Sequence, residues 1–86
     1  MAIQKTTRKQ ADSYIDELEH VILRRFPDAE FEVRRRDPYE YDLLVYGNFD
    51  DMTDVHDVIK DRPTDILLES GIHIRVLPLG RRISQS

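Results

Sequence analysis

The chain contains no cysteine. Disulfides and thiolate metal sites are therefore excluded, and a reducing compartment fits. No apolar run approaches the ~20 residues that span a bilayer. The opening residues, Met1-Ala2-Ile3-Gln4-Lys5, lack the apolar centre of a signal peptide. The expectation is a cytoplasmic protein with no membrane partner. Neither a P-loop nor a dinucleotide-binding glycine pattern is present, and no serine sits in a glycine elbow. A positive balance is also missing: the formal net charge is -4. Lys5, Arg8 and Lys9 make the N-terminus basic, Arg81 and Arg82 do the same near the C-terminus, and acids dominate from Glu40 to Asp61. General nucleic-acid binding calls for a contiguous basic face, so the charge pattern argues against it.

What is present suits one small domain. The 86 residues are 40% hydrophobic and 35% charged, a globular balance with a thin core. Ala11, Tyr14, Ile15, Leu18, Val21, Ile22 and Phe26 follow helical spacing, which predicts an amphipathic helix over about residues 8–26. Residues 1–7 are assigned to a flexible N-terminus. Pro27-Asp28 then makes a turn. Phe31 and Val33 alternate with Glu32, Arg34 and Arg36, predicting a half-buried strand over about 30–36. Asp37-Pro38-Tyr39 is a turn in which the Asp can bond back to the backbone. A second strand over about 40–47 carries Tyr41, Leu43 and Val45 on one face and Glu40, Asp42, Leu44 and Tyr46 on the other. The short connection makes the pair antiparallel.

Asp50 suits an N-cap, and Met52, Val55, Val58 and Ile59 form the apolar stripe of a second helix. Arg62-Pro63 interrupts that helix. Ile66, Leu67 and Leu68 then read as a further helical turn ended by Gly71, or as a strand over 65–69; their composition does not decide between the two. Ile72, Ile74 and Val76 alternate with His73 and Arg75 in a last strand over 72–78, and 80–86 read as a flexible tail. The fold class is α+β: a single domain over 8–79, ordered α-β-β-α-β. A right-handed crossover makes the last two strands parallel. The result is a three-stranded mixed sheet with helices on one face and the other face open.

Alternation fixes what the open face carries. With Phe31, Val33, Tyr41, Leu43, Val45, Ile72, Ile74 and Val76 towards the helices, Glu32, Arg34, Arg36, Glu40, Asp42, His73 and Arg75 point the other way. Glu40 and Asp42, two residues apart on one strand face, could share a Mg²⁺ ion. Arg34, Arg36, His73 and Arg75 could hold a phosphate. The alternative is a solvated face whose charges pair across strands. The acidic cluster Asp50, Asp51, Asp54, His56 and Asp57 matches neither an EF-hand loop nor a His-Glu-x-x-His helix, and it reads as helix-start acids.

Phe26-Pro27-Asp28-Ala29, then a strand, Glu40-x-Asp42-Leu43-Leu44-Val45, a helix, and Leu67-Leu68-Glu69-Ser70-Gly71-Ile72-His73-Ile74 follow in that order. This arrangement resembles the minimal nucleotidyltransferase domains of the DNA polymerase beta superfamily over about residues 14–79. The resemblance implies a mixed sheet with helices behind it. It also implies that Glu40 and Asp42 stand where the family's catalytic carboxylates bind the Mg²⁺ of a nucleoside triphosphate. The chain departs from that pattern in three places. Glu32 to Asp37 hold neither the Gly nor the Ser of the family's triphosphate loop, the first carboxylate is Glu, and the last strand offers His73 and Arg75 where active members often place a third carboxylate. Three functional readings follow. The first is a degenerate, non-catalytic module that binds a nucleotide, another phosphorylated ligand or a partner protein on its open face. The second is a Mg²⁺-dependent minimal nucleotidyltransferase, and the third is a structural or oligomerising module that pairs through its open sheet face, as in a homodimer, without a ligand.

Overall fold

The structure is a computed structural model that describes residues 2–49, 51 and 53–80, with side chains from residue 9 onward. Among the described residues six elements follow one another: α1 (Ala2–Arg25), β1 (Glu30–Asp37), β2 (Glu40–Tyr46), α2 (Thr53–Ile59), α3 (Arg62–Ser70) and β3 (His73–Gly80). The three strands form one mixed sheet in the order β1-β2-β3. β1 and β2 run antiparallel, and β2 and β3 run parallel. This is the α+β architecture with a three-stranded mixed sheet that the alternation predicts. Among the described residues, no helix is long and apolar enough to cross a membrane.

α1 buries Ala11, Ile15, Leu18 and Ile22. Their spacing of four, three and four residues places them in one stripe along the helix. Tyr14, Val21 and Phe26 pack beside that stripe, half-buried. The helix starts at Ala2, ahead of the boundary at residue 8, and stops before Pro27. The stripe meets Tyr41, Leu43 and Val45 of β2 and Ile74 and Val76 of β3 in a single core, joined by Val55, Ile59, Ile66 and Ile72.

The helical region before β3 divides in two, so the element order is α-β-β-α-α-β rather than α-β-β-α-β. Lys60 adopts a left-handed backbone (φ 53°) and donates its N–H to the His56 carbonyl at 2.7 Å, closing α2. Pro63 then sits in the first turn of α3, where its missing N–H removes no helical bond. Residues 65–69 are helical, and Gly71 (φ 78°) ends α3 by donating its N–H to the Leu67 carbonyl. Arg62 clamps α3 onto α1. Its Nε and Nη2 donate to the two carboxylate oxygens of Glu17, and Nη1 donates to Glu69. Donating these hydrogen bonds to Glu17 holds the guanidinium above its ordinary pKa. The expected N-cap Asp50, the stripe residue Met52 and the tail beyond Gly80 lie outside the described residues. The capping geometry ahead of α2 belongs to Asp51, whose carboxylate accepts the Thr53 N–H at 3.0 Å, while Asp54 accepts the Asp51 N–H at 3.3 Å.

The hairpin carries a parity conflict that the backbone must resolve. A two-residue turn at Pro38-Tyr39 pairs Asp37 with Glu40. Continued without interruption, that register would set Phe31 and Val33 on the face of Asp42 and Leu44. Core packing instead requires Phe31 opposite Val45 and Val33 opposite Leu43, which is the observed register. A β-bulge between Arg35 and Asp37 reconciles the two, with Arg36 as the extra residue. The turn is tied at both ends. Tyr39 donates its N–H to Asp37 Oδ1 at 2.8 Å, and its carbonyl accepts the His73 N–H at 2.7 Å.

Two faces differ from the simple alternation. Val33, placed among the core residues by parity, is 44% exposed. α3 packs along β3 and α2 touches α1 and β3, which leaves the outer strand β1 overhanging the helical layer. Conversely Asp42 and Leu44, on the open face, are buried. β2 is the central strand, and the longer side chains of its two neighbours fold over it.

Candidate functional site

The site lies on the open face at the end of the sheet where β2 and β3 begin. Register sets it: Asp42 has Arg34 of β1 on one side and Arg75 of β3 on the other, and Glu40 lies opposite His73. Arg36, displaced by the bulge, reaches the same carboxylate. Arg75 Nε donates to Asp42 Oδ1 at 3.2 Å, and Arg36 Nη1 donates to Asp42 Oδ2 at 3.4 Å. Both oxygens of one buried carboxylate are thus engaged, each by a different guanidinium. The Asp42 side chain is 11% exposed, against 51% for Arg75 and 54% for Arg36.

Around this cluster is a depression of about 230 Å³ lined by Arg36, Glu40, Tyr41, Asp42, His73 and Arg75. Five of the six candidate site residues on the open face therefore converge. Arg34 is the exception. Its Cα stands opposite Asp42, but its side chain turns along its own strand to Glu32, with Nε donating to Oε2 at 3.3 Å. Glu32 also accepts a hydrogen bond from the Tyr46 hydroxyl at 3.3 Å, so the open face holds a second polar cluster away from the depression. Between the two clusters sits Leu44, flanked in register by Glu32 and Leu77. Leu44 is 5% exposed and offers little surface for pairing with another molecule. Tyr41, which alternation places on the core side, contributes an edge to the depression.

The electrostatics decide what this arrangement can hold. A guanidinium carries five N–H donors in a planar fork. Asp42 takes one donor from each arginine, so both forks keep donors for a further acceptor while their planes stay oriented. A divalent cation at Asp42 would compete with both guanidinium groups for the same lone pairs and would sit close to two positive charges. Among the described residues, no three His, Asp or Glu side chains converge as a metal-holding group. As arranged, the donor set suits an anion better than a cation. The acids of the α2 segment stand apart from this site. Accepting the Thr53 N–H holds the Asp51 carboxyl below its ordinary pKa, which is the behaviour of a cap.

Compared with known proteins, the chain matches no family model, and no curated protein or solved structure matches it significantly.

Proposed function

We propose that the protein is a nucleotidyltransferase-like binding module without turnover, which takes a nucleotide or another phosphorylated ligand on its open sheet face. The observation that carries this reading is the buried Asp42 carboxylate held between Arg36 and Arg75 at the floor of a depression. In this reading Asp42 is a positioning group. It fixes two half-exposed arginine forks so that their remaining donors meet phosphate oxygens with little loss of side-chain freedom. His73 adds a ring N–H at the rim, and Glu40 supplies an acceptor for a hydroxyl or amino group of the ligand.

A titration of ¹⁵N-labelled protein with ATP, and separately with inorganic phosphate, tests it with and without Mg²⁺. The expected result is saturable shifts at Asp42, His73 and Arg75 that need no metal. No shifts with either ligand would overturn the proposal. The Mg²⁺-dependent enzyme is the second reading, favoured by the shared position of Glu40 and Asp42 in one depression. It requires shifts that appear only with Mg²⁺, together with a nucleotidyl product.

A further inference from the structure

We propose that two copies of the chain pair antiparallel through the edge strand β1, about a two-fold axis at Val33, to form one continuous six-stranded sheet. Among the described residues, β1 has a sheet neighbour on one side only. The other edge strand, β3, carries Pro78, which has no N–H to donate to an added strand. β1 contains no proline, and residues 33–37 are exposed throughout.

The charge order of β1 is self-complementary in one register. The strand reads Glu30-Phe31-Glu32-Val33-Arg34-Arg35-Arg36-Asp37. Antiparallel copies that keep their helices on the same face must pair residues of equal parity. Centred on Val33, Glu32 meets Arg34 of the second copy, a contact that occurs twice, while Arg36 sits in the bulge and stays with Asp42. Phe31 meets Arg35, a cation over an aromatic ring, and Val33 meets Val33. Centring on Glu32 sets Glu32 against itself, and centring on Arg34 sets Arg34 against itself; like charges directly opposite are unfavourable. The Val33 register avoids both clashes, and it covers the apolar residue that the helices leave 44% exposed. In the resulting dimer all helices lie on one face and both Asp42 depressions on the other.

Charge reversal tests this directly. Sedimentation over a concentration series up to millimolar should show a reversible dimer for the wild type. Arg34→Glu alone sets the introduced carboxylate against Glu32 of the second copy. Glu32→Arg alone sets the introduced guanidinium against Arg34 of the second copy. Each should weaken association roughly tenfold or more. Mixing the two variants restores both contacts, so a heterodimer should form at concentrations where each variant alone is monomeric. Circular dichroism melts establish that each variant is folded, and Val33→Lys, which sets a charge against itself at the axis, should also dissociate the dimer. A wild type that stays monomeric, a dimer indifferent to all three substitutions, or a mixture that fails to associate would each overturn the proposal.

Discussion

Replacing Asp42 by Asn separates the two roles that its position allows. The substitution keeps the shape of the side chain and one acceptor oxygen. It removes the charge and one of the two bonds that hold Arg36 and Arg75 at 3.4 and 3.2 Å. A hydrogen bond to a charged group contributes about 1.5–3 kcal/mol. Here both arginines are about half exposed and rehydrate when released, so screening reduces the loss to roughly 1 kcal/mol. For a domain of this size that lowers the melting temperature by about 4–8 °C. Metal-free ligand binding should weaken as well. Removing a unit negative charge roughly 6 Å from a bound phosphate, at an effective dielectric of about 50, favours binding by ~1 kcal/mol. The arginine that Asn releases must be ordered again on binding, which costs up to about 2 kcal/mol of side-chain freedom, so affinity should fall by about fivefold. Thermal melts and a phosphate or ATP titration without Mg²⁺ check both halves. A carboxylate that served only as a metal ligand would leave metal-free binding unchanged or tighter and would lose the Mg²⁺ dependence alone. An unchanged melting temperature combined with tighter metal-free binding would refute the reasoning.

The site could be read in the sequence to the extent that strand parity determines it. Period two was enough to place Glu40, Asp42, His73 and Arg75 on one face, and the register brings them together as expected. Parity did not contain the bulge. A three-residue turn at Asp37-Pro38-Tyr39 would pair Arg36 with Glu40 and keep Phe31–Val45 and Val33–Leu43 in an unbroken ladder; the observed pairing of Asp37 with Glu40 is what leaves Arg36 as an extra residue. What parity cannot supply is how far each side chain travels. Arg34 faces Asp42 in register, yet Glu32, two residues away on the same face, is a nearer partner. The burial of Asp42 and Leu44 on the open face is likewise a property of their neighbours' length. Val33 is exposed because of where the helical layer sits, which strand alternation does not encode. The break between α2 and α3 was signalled by Pro63, but the left-handed residue that closes α2 is a lysine, and nothing in its chemistry marks the position.

That lysine gives the next expected outcome. A non-glycine residue in the left-handed region is disfavoured by about 1 kcal/mol, so Lys60→Gly should stabilise the fold by roughly that amount, seen as a higher midpoint in urea. Gly47 gives the reverse. A Cβ there would lie 2.7 Å from the Phe49 ring, which stacks edge-on against Phe26 with centroids 4.9 Å apart. Gly47→Ala should therefore displace Phe49 and lower stability by about 1–2 kcal/mol in the same assay. Asp51 supplies a pH dependence whose sign follows from its bonds. Its carboxyl is held below the ordinary 3.8 by the Thr53 N–H, then by the Thr53 side chain. A carboxyl depressed in the folded state binds fewer protons there than in the unfolded chain, so its stabilising contribution is complete above the unfolded value. It disappears as pH falls through the folded value. Asp51→Ala should thus melt below the wild type at neutral pH, and the two melting curves should converge as pH falls below about 3.8. A gap that stays constant down to that range would mean that Asp51 stabilises α2 by packing or backbone preference rather than through its charge.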